Sequence, residues 1–295
     1  MSPFKILFCA LTTAFILLLL VNKNFAQELA IDDSDLIHNP LVSKAYELFE
    51  EGDSRTALEH FKKALIEDKS DLSALLGQAM ILADMQRYSE AFASYDSIIK
   101  YYPTHAFAWN GRGLAAFNMY DFDNALMSFK KSTAEQPTNG FFYESLAWTQ
   151  MCRGEFMDAV RSAKQATLMY NKSKEISIYP PLIAYFAYLE NGDHANANTS
   201  LRYAHQNKPI NRWPSPVVDY LLNVIDASEL ISFVTNTAQE TEAHTYIGLK
   251  LRTDGLCEGV NKHFEWVSLY GDRRVFEYNL AHVMNIQDRV ALLKP

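Results

Sequence analysis

The residues that could carry chemistry are all present, but their spacing assembles none of the common catalytic or metal-binding sets. The eight histidines (His38, His60, His105, His194, His205, His244, His263 and His282) form no HExxH helix pair. The three cysteines, Cys9, Cys152 and Cys257, form no CxxC pair and no cluster with histidine at zinc spacing. Ser215 stands between two prolines rather than in a GxSxG elbow. No GxxxxGK[ST] phosphate loop occurs, and Gly111-Arg112-Gly113 falls inside a helical pattern, where glycine serves packing. His244 and His263 fall on the two helices of one unit and can approach; without a third ligand they read as structural. The sequons at Asn171 and Asn198 matter only in a eukaryotic secretory host. The expectation is a chain with no catalytic residues, no metal and no cofactor, hence not an enzyme.

Composition narrows the class. Of 295 residues, 48% are hydrophobic, enough to build a core and to exclude a disordered chain. The net charge of −8 argues against a nucleic-acid partner, which selects a basic patch. With only 11 Gly and 10 Pro, a turn-rich all-β design is excluded. At the N-terminus, Lys5 precedes an uncharged apolar run from Ile6 to Val21, and Asn24-Phe25-Ala26 precedes Gln27. Residues 1–26 read as a cleaved export signal, because the run is shorter than a spanning helix needs. The alternative is a retained single N-terminal membrane anchor. Cys9 lies inside the apolar run rather than at its end, so it is not a lipid-attachment cysteine. Cleavage removes Lys5 and Lys23 and no acid, so −8 becomes −10. The expected location is the periplasm or cell envelope, with no membrane insertion after cleavage. Residues 27–37, with Asp32, Asp33 and Asp35, read as an acidic linker.

The elements that would have to position any site follow a repeat. Ala57, Ala91, Ala125 and Ala159 recur at 34-residue spacing. Phe61, Tyr95 and Phe129 each follow four residues after their alanine, and Pro103 and Pro137 fall at unit boundaries. Apolar residues at i, i+3, i+4 and i+7 make each half of a unit helical. The units span 38–71, 72–105, 106–139, 140–173 and, after a four-residue insertion, 178–211. Ala163 stands where the fourth unit should have its large aromatic. Ile178-Tyr179-Pro180-Pro181 is expected to break the helix. Residues 212–240 leave the pattern as an irregular helical insert, with one helix from Val217 to Val224 and a new start near Asp226. Residues 241–295 hold a last unit, 241–274, and a closing helix over Val275–Met284.

This spacing resembles the tetratricopeptide repeat (TPR), a helix–turn–helix unit of 34 residues. The resemblance implies an all-α TPR solenoid, a right-handed superhelix of about six repeats whose first helices line a concave groove. The inward positions of those helices are then Phe107, Asn110, Asn118, Phe141, Glu144, Trp148, Met151, Tyr179 and Phe186. Aromatic side chains with polar neighbours suit a protein or peptide ligand. The clamp with which some TPR proteins hold a C-terminal carboxylate is absent, since its places hold Val42, Tyr46, Gly77, Phe107 and Gly111.

The order of export signal, repeats, Trp-Pro break and final repeat resembles bacterial cell-envelope TPR proteins, including the lipoprotein adaptor family typified by new lipoprotein I. The segment TEAHTYIGLKLRTDGLCEGVNKHFEWV, followed by FEYNLA, carries that likeness, although a lipobox is missing. It implies a non-enzymatic adaptor in envelope assembly or proteolysis. The rival readings are self-assembly through Trp213–Val234 and an enzyme with its site in 212–240.

Overall fold

The computed structural model describes residues 39–210 and 212–292, with side chains for all but 257, 258 and 287–292. The export signal expected at 1–26 and the linker expected at 27–37 lie outside the described residues. Those residues form fifteen helices and no strand, and the chain divides between Ile81 and Leu82 into two compact units.

The first unit holds α1 (Pro40–Glu50), α2 (Ser54–Glu67) and the start of α3 (Leu72–Asp84). Asn39 caps α1 by accepting from the Leu41 amide, and Asp53 caps α2 by accepting from the Thr56 amide. Between them Gly52 takes φ 86°, a conformation that costs a side-chain-bearing residue free energy. Ala45 and Ala57 are fully buried, so the two helices approach closely. Phe61 fills the space towards α3. The edge of Tyr46 meets its ring at 4.9 Å, and a Cβ on Gly77 would lie 2.2 Å from its Cζ.

The second unit continues from the end of α3 through α4 (Tyr88–Tyr101), α5 (Ala106–Asn118), α6 (Phe122–Glu135), α7 (Gly140–Cys152) and α8 (Phe156–Ser173). The alanine period is the buried seam, with Ala91, Ala125 and Ala159 at 0% exposure. The backbone carries the same period. Residues 52, 86, 120 and 154 all have positive φ in the turn between paired helices, although two of them are Gln86 and Tyr120. Next come α9 (Tyr179–Glu190) and α10 (His194–Asn207). Pro180 and Pro181 occupy the first turn of α9, where a missing N–H is harmless, so they begin a helix rather than break one. The break itself comes at Lys174, in a left-handed cap.

The irregular insert contains α11 (Ser215–Leu221) and α12 (Ala227–Ser232). A reciprocal capping box between Asp226 and Glu229 starts α12. The last pair is α13 (Thr237–Thr253) and α14 (Cys257–Tyr270), and α15 (Phe276–Leu292) extends well past the Met284 expected from sequence. The α13–α15 segment does not simply continue the row. Both α13 and α15 pack on the first helices of earlier hairpins, α13 on α9 and α15 on α7.

The Phe61–Gly77 contact generates a stability prediction. Alanine favours a helix over glycine by about 1 kcal/mol, but a buried ring that must move opposes it by roughly 1–3 kcal/mol. Gly77→Ala is expected to lower stability in urea unfolding, and Phe61→Leu in that background to recover part of the loss. A stabilised Gly77→Ala chain would refute the close approach.

Candidate interaction face

Of the nine inward positions expected from sequence, Asn118, Phe141, Glu144, Trp148, Tyr179 and Phe186 meet α13 or α15, Phe107 packs instead on Phe142, and none of the nine is exposed. Asn110, Glu144, Trp148, Met151 and Phe186 are buried, while Phe107, Asn118, Phe141 and Tyr179 are half-buried. Several of them are covered by the chain's own C-terminal segment. Phe276, the first residue of α15, stacks on Trp148 at 5.9 Å with the rings 7° from parallel. The same ring meets Phe117 edge-on at 5.1 Å and Phe141 at 6.5 Å. One turn on, the Asn279 amide donates to the Phe117 carbonyl at 3.5 Å and to Asn118 Oδ1 at 3.3 Å. On α13, Tyr246 stacks with Phe186 at 5.9 Å. Phe107 packs edge-on against Phe142 at 5.1 Å, and Asn110 keeps a buried Oδ1 without a partner.

Three carboxylates meet where these helices converge: Glu144 on α7, Glu242 on α13 and Glu277 on α15. All three are at least nine-tenths buried. Glu242 Oε2 accepts from Trp213 Nε1 at 2.7 Å and from the Tyr179 hydroxyl at 3.0 Å. Glu277 Oε1 accepts from the Tyr246 hydroxyl at 2.8 Å, and Glu144 accepts from Ser177 at 3.2 Å. Burial is the main force on all three, and it favours the uncharged acid. It pushes Glu144 and Glu277 up to about 7. Glu242 is raised well above the usual carboxylate range, first by burial and then by the charge of Glu277. Burial first, and then the three carboxylates, hold Tyr179 strongly to its neutral form. The donors that ring the acids are phenols, an indole and a hydroxyl. The arrangement favours the uncharged acids at a junction between helices.

The approach of His244 and His263 expected from sequence is present, with the two Nδ1 atoms 2.9 Å apart. One ring must donate and the other accept, so at least one is neutral. His244 also stacks on Trp266 at 4.1 Å, and burial followed by its neighbour's charge holds it down to about 4. Among the described residues no group of three or more His, Cys, Asp or Glu is placed to hold a metal ion. In the insert, Val217, Val218, Tyr220 and Leu221 are buried and Trp213 is bonded to Glu242. The segment that suggested self-assembly thus spends most of its apolar surface within its own unit.

Sequence reasoning missed Glu242, Tyr246, Glu277 and Asn279. The segment FEYNLA was legible as a closing helix, but nothing local says which earlier helices it covers.

Comparison with known proteins places the fold. Residues 42–106 and 76–139 match the family model of the tetratricopeptide repeat. A tetratricopeptide-repeat protein from Parabacteroides merdae is 16% identical, with TM-score 0.60, over 83% of this chain and 98% of that one. A MamA protein is 18% identical, with TM-score 0.54, over 57% of this chain and 90% of that one. MamA from Desulfovibrio magneticus is 16% identical, with TM-score 0.53, over 58% of this chain and 97% of that one. At these identities the likeness is one of fold. No match is found among the curated proteins.

The Trp148–Phe276 stack can be measured by a double-mutant cycle. Trp148→Ala and Phe276→Ala are each expected to lose about 3–5 kcal/mol in chemical denaturation. The double variant should lose less than their sum by about 0.5–1.5 kcal/mol, the scale of an aromatic pair. Strict additivity would mean the rings do not interact.

Proposed function

Because this chain is built of tetratricopeptide repeats, we propose that it is an exported, non-enzymatic scaffold binding a protein or peptide partner on the face of α5, α7 and α9. The observation that carries this reading is the guest already on that face. α15 lies there as a helix anchored by one aromatic residue and tied by one amide, which is how an amphipathic partner helix engages a groove. The nine positions from Phe107 to Phe186 supply the partner's contacts in this reading, and Asn118, Phe141 and Trp148 are those that α15 uncovers when it lifts. Phe107 and Phe141, half-buried at the rim, meet it first.

Export rests on the pattern of residues 1–26, and work in the cell envelope, in assembly or proteolysis, rests on the resemblance of residues 241–267 to envelope adaptors. No helix among the described residues is long and apolar enough to cross a membrane.

Two measurements test the proposal. A photo-crosslinking residue at position 141 of the full-length chain, activated in native envelopes, should capture a discrete partner. Phe276→Ala should raise that capture several-fold by loosening the resident helix. Crosslinks confined to the chain's own α15, unaltered by Phe276→Ala, would reject the face as the binding site. N-terminal sequencing after fractionation should find a periplasmic chain beginning at Gln27. A membrane-bound chain retaining residues 1–26 would establish the anchor instead, and a cytoplasmic one would reject export.

A further inference from the structure

The resident helix brings an acid into a junction that already holds two. Glu277 is the second residue of α15, so it is buried beside Glu144 and Glu242 only while α15 is seated. Resting on the reading of this face as the partner site, we propose that α15 is a pH-responsive lid over it, seated in mildly acidic conditions and released as pH rises through neutrality.

The groups around Glu277 fix the sign. α7 contributes Glu144, with the phenol of Tyr170 from α8 near it, and α13 contributes Glu242 and Tyr246. Tyr179 comes from α9 and Trp213 from the insert. α5 offers the uncharged Asn118. The cations nearest in sequence point elsewhere, since Arg274 is paired with Asp272 and Arg273 lies over the ring of Tyr278. The histidine of α14, His263, is engaged with His244. On α15 itself, His282 lies against Tyr120, and burial holds it towards its neutral form.

The seated lid therefore holds its carboxyls as neutral acids. Once lifted, Glu277 meets water and ionises at its ordinary value near 4.3. The seated state binds more protons than the open state, so this contribution to closure is fully present below that value and is lost as pH climbs towards about 7. Each unit by which a carboxyl is raised on closure is a tenfold change in the closing equilibrium.

Backbone hydrogen exchange of the full-length chain at pH 5, 6.5 and 8, corrected for intrinsic rates, reads the lid directly. The opening constant of α15 should rise on the order of 100-fold from pH 5 to pH 8, while the amides of α7 change far less. Glu277→Gln keeps an acceptor for Tyr246 but carries no proton equilibrium, and should flatten the rise to within about threefold. Glu242→Gln is the second variant, expected to flatten it in part, and decides the matter if the first does not fold. A merely structural glutamate would shift protection equally at every pH. Flat exchange of α15 in the parent chain, or an unaltered rise in both variants, overturns the lid. Crosslinking from position 141 tests the face separately. Flat exchange with crosslinking intact rejects only the lid, and a steep rise without crosslinking rejects only the partner site.

Discussion

A helical hairpin of this kind has an apolar face that it cannot cover alone, and the arrangement of the second unit follows from what covers each face. Between consecutive hairpins the answer is local. Ala91, Ala125 and Ala159 bring paired helices together without exposed surface, and large aromatics such as Tyr95 and Phe129 fill the spaces beside them. On the side formed by α5, α7 and α9, no neighbour in the row is available. Trp148 and Phe186 would there face water, and α13 and α15 return along the chain to shield them.

That cover carries an electrostatic conflict that a purely structural element has no need of. Three acids converge from three helices, and their immediate donors are neutral. A lysine or leucine at 277 would relieve the repulsion. The junction instead stays intact by keeping its carboxyls protonated, which ties the cover to proton concentration. On the opposite side of α13, the His244–His263 pair has the reverse dependence. Its rings stay neutral in the fold, so its contribution is present above the ordinary histidine value near 6.5 and is lost as pH falls towards about 4. Acid thus loosens α13 from α14, and base loosens α15 from α7.

The repeats were legible because they are local. The alanine period, the glycine turn at Gly52 and the cap at Asp226 are short-range signals, and the helices start and stop where these say. Two turns were harder. Gln86 and Tyr120 take the left-handed conformation that the sequence marks with glycine at 52 and 154, so residue type alone does not reveal them. The missing aromatic at Ala163 also has a reading in the register. Phe61 and Tyr95 each stand sixteen residues before the glycine they cover, Gly77 and Gly111. At Ala163 the sizes are exchanged, and the residue sixteen on is Tyr179. The groove positions are an expectation from the repeat alone, and nothing in the local sequence says that α15 lies against Asn118, Phe141 and Trp148. Phe276 and Asn279 lie well over a hundred residues from Phe117 and Asn118, and an aromatic residue on a terminal helix reads the same whether it caps a solenoid or folds back on it.

An occupied face changes what affinity means for a partner. A ligand that must wait for α15 to lift binds with its intrinsic affinity multiplied by the open fraction, so a lid open one part in a hundred weakens binding about a hundredfold. The tether makes α15 a competitor at an effective concentration on the order of millimolar, which no ligand of modest affinity overcomes unaided. Two routes reduce that handicap. A partner can begin at the half-buried rim, at Phe107 and Phe141, and displace α15 from its anchored end at Phe276. Alternatively, the resident helix can be weakened beforehand, and Glu277 is placed to do this because its charge state changes with pH and it is buried at the junction. On this view the poor electrostatic fit of the resident helix is functional: a helix that matched the face perfectly would hold it shut.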